Sequence, residues 1–322
     1  MSVAVCLLLY GFAVAVLAPR MLVRIGYQGA APRLALVSWM TAIASTVAGW
    51  LVAVVLLLVD LITHRWSDTP QRFLDTCVTH FHDAAVGRYG APAQIGLLLL
   101  SGLTTAAAVV LITRIGSSLL QARRTTFEHA RMARLAGRHH RGLDAVVLDV
   151  DEPAAYCVAG KPDTVVVSRS VLDALDERHL AAVLAHERAH LSGRHHLILA
   201  VTRALATALP RVTLFTLGAR EVALLLEMVA DDSAARIHGR DTVVAALLAL
   251  GGITTDPTTG PVGTLGAAQV GLTARIERLT APATTAARTR VQAALAAAAT
   301  LVPLSSVAAA AAGIALCASV SA

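Results

Sequence analysis

Two groups of polar residues in this 322-residue chain have the types and spacing to do chemistry. His186-Glu187-Arg188-Ala189-His190 sets two imidazoles four residues apart, and Glu227-Met228-Val229-Ala230-Asp231 sets two carboxylates at the same interval. Residues at i and i+4 share one face of a helix, so His186 and His190 can hold one zinc ion between them. Glu187 is angled toward the same ion, where it can take the proton from a water that the ion activates. Zinc needs a third protein ligand, and Glu227 is the expected one. Asp231, one turn later, faces the same way and can hold a ligating imidazole by its second nitrogen. The expectation is one Zn2+ per chain at a peptide-hydrolysing centre.

Two rival readings use the same residues. His186-Glu-x-x-His190-x-x-Gly193-x-x-His196 also spells a pattern in which His196 is the third ligand, but that would leave Glu227 and Asp231 without a role. Alternatively the zinc site serves stability alone, in a non-catalytic membrane sensor or scaffold. A third polar group, Cys77, His80 and His82, has borderline and soft ligands at close spacing but specifies no fourth ligand.

The elements that must position these residues are unusually apolar. Hydrophobic residues make up 56 % of the chain and charged ones 15 %, with a mean hydropathy of +0.66, which excludes an ordinary soluble globule. Four stretches carry the excess: 3–17, 34–59, 93–113 and an alanine-rich 291–316. Each is expected to cross a bilayer. The first has no basic leader and meets Pro19-Arg20 where a cleavage site would need small residues, so a retained anchor is expected.

Arginine placement orients the spans. Arg20, Arg24 and Arg33 flank the first connection without an acid, the next loop is mixed, and a dense run from Arg114 to Arg141 follows the third span. The positive-inside rule then puts the first loop and residues 114–290 in the cytoplasm, with both termini outside. The expected organisation is three spans in 1–113 with an outer loop at 60–92, a cytoplasmic metallopeptidase domain at 114–290, and a fourth span with an outer C-terminus at 291–322. Trp39 and Trp66 are expected in interfacial belts, with Trp50 merely packing. A pI near 9.7 could suggest nucleic acid, but the basic residues cluster beside a membrane exit, where they face anionic lipid. No direct nucleic-acid binding is expected. Lys161 is the one lysine, and with so much alanine this composition hints at a GC-rich bacterial genome. A multi-pass bacterial cell-membrane protein is the implied setting.

Within 114–290, residues 115–135 read as a basic amphipathic helix. Ala145–Val150, Ala155–Val158 and Thr164–Val167 read as strands, the last two joined by the turn Ala159-Gly160-Lys161-Pro162-Asp163. Asp176 is an expected N-cap of the histidine helix, which should stop near Gly193. Residues 197–217 are apolar but interrupted by Arg203, Pro210 and Arg211, so they read as buried or membrane-associated helix rather than a fifth span. Helices at 221–236 and 241–250 and a flexible loop at 251–266 complete a fold that is mostly α with a small β-sheet, of the α+β class.

This order of elements resembles the integral-membrane gluzincins: HtpX, the prenyl-protein proteases and, more closely, the BlaR/MecR antirepressor peptidases. The resemblance covers about 145 to 280. It rests on Ala155-Tyr156-Cys157-Val158-Ala159-Gly160 with Thr164-Val165-Val166-Val167-Ser168, on Leu180 to Glu187, on Glu227 to Asp231, and on Arg275-Ile276-Glu277-Arg278-Leu279. It implies zinc on His186, His190 and Glu227 with Glu187 as base, and a zincin-like domain cutting a protein or peptide substrate. The hairpin strand, through Thr164, Val165 and Val166, would be the cleft edge that holds an extended substrate by strand addition. Strand alternation leaves open whether Val165 or Val166 presents its amide. The antirepressor relatives imply a BlaI-like repressor as substrate. They also carry a Ser-x-x-Lys penicillin-binding domain, whereas Val158 stands three residues before Lys161 here, so that sensing chemistry is not expected.

Overall fold

The structure is a computed structural model that describes residues 3–26, 29–63, 91–160, 162–253 and 271–320. Cys77, His80, His82 and Trp66 lie outside the described residues, as does most of the expected 60–92 loop. Among the described residues four helices are long and apolar enough to cross a membrane: α1 (Val3–Gly26), α2 (Pro32–Thr63), α3 (Ala91–Ala136) and α10 (Thr285–Val320). All four run further than the sequence suggested. α1 passes through Pro19 to Gly26. α3 continues without a break from its apolar half into the basic segment, 46 residues in all, or about 69 Å.

A four-stranded sheet follows: β1 (Arg138–His140), β2 (Ala145–Leu148), β3 (Ala155–Val158) and β4 (Thr164–Ser168), in the order β1-β2-β4-β3. β2 and β4 are parallel, and the other pairs are antiparallel. β1 has no apolar alternation and was not evident in the sequence. This order corrects the expected substrate strand. β4 is internal, with Val166 opposite Val146 on one side and Tyr156 on the other, and all five of its residues are buried. Thr164, Val165 and Val166 therefore have no free ladder to offer. The reason is topological: the hairpin returns between β2 and β3, where a run of four branched side chains from Thr164 to Val167 can be covered on both faces. Among the described residues, the sheet edge next to the hairpin that no further strand pairs with belongs to β3.

The remaining helices are α4 (Arg169–Ala174), α5 (Glu177–Ser192), α6 (His195–Ala208), α7 (Thr213–His238), α8 (Arg240–Ile253) and α9 (Leu272–Thr280). Pro210 and Arg211 separate α6 from α7, as the interruption in the sequence implied. α6 has 14 residues, about 21 Å, which falls short of the hydrocarbon thickness.

Two hydrophobic cores meet along α7. One joins α1, α2, α6, α10 and the first half of α7, through Leu22, Trp39, Ile43, Leu214, Phe215 and Leu226. The other lies between the sheet and helices α5, α8 and α9, through Val167, Val183, Leu184, Val243, Leu247 and Leu279. α7 starts eight residues before its expected beginning because its first turns are needed in the membrane core. At Gly218 an added Cβ would stand 3.3 Å from both Ile43 and Trp39, so a glycine lets α7 lie close against α2. Trp50 packs edge-on against Phe215 at 6.0 Å. Trp39, expected in an interfacial belt, is 1 % exposed and packs in this core beside Gly218 of α7.

Candidate metal centre

α5 brings the histidines together because its buried face, Leu180, Val183, Leu184, His186, Glu187 and His190, is one continuous stripe. Asp176 caps it as expected, accepting a hydrogen bond from the His179 amide at 2.8 Å. α7 crosses α5 and delivers Glu227 and Asp231, both wholly buried.

The two Nε2 atoms of His186 and His190 are 3.2 Å apart. Each also lies against the Glu227 carboxylate, His186 Nε2 at 3.3 Å from Oε2 and His190 Nε2 at 3.4 Å from Oε1. Zinc–ligand bonds of 2.0–2.2 Å in a tetrahedron set ligand atoms about 3.4 Å apart, so the spacing matches that ion. Both oxygens of Glu227 are buried and neither has a partner in hydrogen-bonding geometry, although Arg275 Nη1 stands 3.2 Å from Oε2. Oε1 has no cation beside it other than what the two imidazoles or a bound ion supply, and a buried carboxylate oxygen left unmet is costly. Glu187, Glu227 and Asp231 against the single guanidinium of Arg275 leave a formal charge of −2 among the buried groups, matching a divalent ion. The donor set therefore fits zinc.

The other ring nitrogens point away from the centre, and each lies beside a polar atom. His186 Nδ1 is 3.1 Å from Asp231 Oδ1, the arrangement foreseen from the sequence. His190 Nδ1 is 2.8 Å from Nδ1 of His195, which was not foreseen. His195 is 5 % exposed, and a Cβ on Gly193 would collide with its ring. The missing side chain at Gly193 and the left-handed Arg194, at φ 49°, are what fold His195 back onto His190. The signal for it was the Gly193-Arg194 break just after the helix.

Electrostatics separates the roles. Burial opposes the His186 imidazolium, but hydrogen bonds to Asp231 and Glu227 outweigh it and take its pKa up to about 10. Burial also works against the Glu227 and Asp231 carboxylates, yet the histidines at Glu227, and Arg275 with His186 at Asp231, hold both below their usual range. Glu187 is different: burial pushes its carboxyl up, in keeping with a group poised to accept a proton. Burial, then the neighbouring His190, push His195 down to about 4, so it stays neutral and can accept a hydrogen bond from His190.

Arg275 completes the site. It is wholly buried, donates to both oxygens of Asp231 at 2.7 and 2.6 Å, and lies 3.2 Å from Glu227 Oε2. The sequence marked it only by resemblance and gave it no role. His196 is exposed, and among the described residues the cluster able to hold a metal is His186, His190 and Glu227. This corrects the reading in which His196 is the third ligand. Its neighbour His195, the first residue of α6 after the left-handed Arg194, takes the inward position instead. β3 packs against α5, and the thiol of Cys157 faces Glu187; burial and that carboxylate push its pKa well above the ordinary thiol range.

Comparison with known proteins agrees with this geometry. A family model described as Peptidase family M48 matches residues 120–250, which contain the sheet, α5 and α7. A protein named Protease HtpX homolog from Salinibacter ruber is 34 % identical over 100 residues, covering 29 % of this chain and 36 % of that protein. Another of the same name from Acidiphilium cryptum is 38 % identical over 69 residues, covering 21 % of this chain and 24 % of its own length. The chain thus spans about a third or less of these curated relatives. No solved structure matches.

Proposed function

We propose that this chain is a membrane-anchored zinc metalloendopeptidase. The observation that carries the reading is the convergence of His186 Nε2, His190 Nε2 and the fully buried Glu227 carboxylate on one point, with Glu187 beside it. The match of residues 120–250 to peptidase family M48 supports it independently. Bound zinc would activate a water and polarise a substrate carbonyl. The remaining work belongs to the chain's own residues. Glu187, its carboxyl raised by burial, accepts the water proton and returns it to the leaving amine. Asp231 and His195 fix the two ligand imidazoles by their outer nitrogens, which keeps both Nε2 lone pairs directed at the centre.

Substrate would lie along β3. Ser168 N–H donates to Ala154 O at 2.7 Å, so residue 154 points its backbone at β4. By alternation Tyr156 and Val158 do the same, while Ala155 and Cys157 turn their N–H and C=O groups outward. An extended peptide would pair with Cys157 and Ala155, above the glutamate base.

The finer assignments are proposals of the same reading. The catalytic region 114–290 lies in the cytoplasm of a bacterial membrane, between three spans in 1–113 and a fourth in 291–322. A cytoplasmic repressor of the BlaI type is the substrate suggested by that order of spans, which resembles the antirepressor peptidases. The test is a purified full-length protein in lipid nanodiscs. One equivalent of zinc and cleavage of an unfolded protein are expected, with Glu187→Gln keeping the zinc and losing turnover by several orders of magnitude. Full turnover by that variant would overturn the assignment of the base. Cleavage of a winged-helix repressor in preference to casein would support the antirepressor reading, and equal cleavage of both would sink it.

A further inference from the structure

Arg275 and Arg278 stand one turn apart on α9 and reach two different places. Arg275 holds Asp231 with both arms of its guanidinium and touches Glu227. Arg278 holds the residues next in line on α7. Its Nη1 donates to Asp232 Oδ1 at 2.8 Å, and its Nη2 donates to the Met228 carbonyl at 3.1 Å. Met228 follows the ligand Glu227 directly, and Asp232 follows Asp231.

On its other side Arg278 meets the membrane hairpin. A Cβ added at Gly29, in the turn between α1 and α2, would stand 2.9 Å from Arg278 Cδ and 2.9 Å from Met228 Sδ. Gly29 has φ 56°, so glycine serves twice here: it permits the left-handed turn, and it lets that turn press directly on Met228 and Arg278. α9 is also tied to the membrane covalently, since only residues 281–284 separate it from α10, which packs on α1 and α2. The match to the peptidase family ends at residue 250, before α9 begins. The two arginines therefore lie beyond the residues matched by the family model, in the Arg275–Leu279 stretch that also carries the resemblance to the membrane gluzincins.

We propose that Arg275 and Arg278 are positioning residues through which the packed α1–α2 hairpin sets the geometry of the metal ligand Glu227 and of Asp231. This rests on the reading of His186, His190 and Glu227 as a zinc site. The pairs involved are desolvated enough to transmit position. Arg275 and Asp231 are each 0 % exposed, and the Arg278 side chain is 11 % exposed against 31 % for Asp232. Removing one partner of the Arg275–Asp231 pair leaves a charge that the interior does not accommodate, whereas the half-buried Arg278–Asp232 pair acts through its geometry. The turn at Gly29 bears on Met228, Arg278 fixes the turn of α7 around Asp232, and Arg275 fixes Glu227 and Asp231 within the same turn. The membrane hairpin thus forms the outer wall of the metal site.

The experiment uses the full chain in lipid nanodiscs and reads zinc affinity by competition with a chelator, with helical content and peptide cleavage measured separately. Gly29→Ala should weaken zinc binding at least tenfold with helical content unchanged. Gly26→Ala, where an added Cβ meets nothing within 4 Å, should bind like wild type. Arg275→Met should lose 10–100-fold, the range for residues that orient metal ligands. Arg278→Asp should lose affinity, and the reciprocal pair Asp232→Arg with Arg278→Asp should recover most of it. A general loss of packing would not be repaired by exchanging two charges. Zinc affinity within twofold of wild type in both Gly29→Ala and Arg278→Asp overturns the proposal, as does failure of the exchanged pair to recover. If the wild-type protein itself holds no zinc, the metal reading falls first, and that result needs no variant to see.

Discussion

His195 Nδ1 lies 2.8 Å from Nδ1 of His190, so one of the two zinc-type ligands is oriented by a third histidine rather than by a carboxylate. A neutral imidazole accepts a hydrogen bond without adding charge, whereas Asp231 on the other ligand brings a full negative charge that Arg275 balances. The two supports are therefore unequal. The His186 side is ionic and the His190 side is neutral.

That asymmetry makes a prediction. His195→Ala removes the acceptor that fixes the His190 ring and should weaken zinc binding 10–100-fold. His195→Asn retains a polar group and should fall between Ala and wild type. Gly193→Ala should resemble His195→Ala, because its methyl occupies the place of the His195 ring. Chelator competition on the three variants checks this, and equal affinities throughout would show that His190 needs no support.

The free edge of β3 gives a second prediction, tied to the register. Cys157 turns its amide outward, so Cys157→Pro removes a substrate contact without breaking the β3–β4 ladder. It should abolish protein cleavage with zinc retained. Cys157→Ala should keep activity and so separate the backbone effect from the loss of the thiol. Tyr156→Pro acts on the inward set, removes a ladder hydrogen bond and should destabilise the sheet by about 1–3 kcal/mol, lowering the thermal midpoint. If Cys157→Pro cleaves like Cys157→Ala, substrate is not held by this edge.

How far these features were legible in the chain depends on their range. His186, Glu187, His190, Glu227 and Asp231 could be found because helical spacing of three or four residues is a local rule. The Asp176 cap and the Pro210 interruption are local for the same reason. The order of strands was not legible. Whether β4 ends inside the sheet or at its edge depends on a crossover between β2 and β4, and alternation along Thr164 to Val167 is the same in either case. His195 was hidden by a backbone event, the left-handed Arg194, that redirects one side chain without changing any pattern. Arg275 was hidden by distance, 44 residues from the aspartate it holds.

A third prediction concerns metal removal. Zinc that binds only the folded protein stabilises it by about 4 kcal/mol when present at a thousand times its dissociation constant. Treatment with a chelator should therefore lower the thermal midpoint and return three buried carboxyls to the care of Arg275 and a protonated His186. Proteolytic nicking should then increase on either side of α7, where Glu227 no longer ties that helix to α5. Glu227→Gln should start from the lower midpoint and show little further change on chelation. An unchanged midpoint in the chelated wild type would show that the donor cluster holds no metal that matters to the fold.

The last prediction concerns which side of the membrane the centre faces. Gly29 sits against Met228 and Arg278, so the α1–α2 turn and the metal centre must share a side whatever the orientation. Arg20, Arg24 and Arg33 flank that turn, and the positive-inside rule places such a loop in the cytoplasm. Single cysteines at Arg24 and at Glu177, in a chain whose own cysteines are replaced by alanine, should therefore both resist an impermeant maleimide added to intact cells. Both should label once the membrane is opened. Labelling of both from outside would invert the topology and make the substrate an extracytoplasmic protein, leaving the chemistry untouched. Labelling of one position alone would mean that the turn and the peptidase helices are on opposite sides, which the contact at Gly29 forbids.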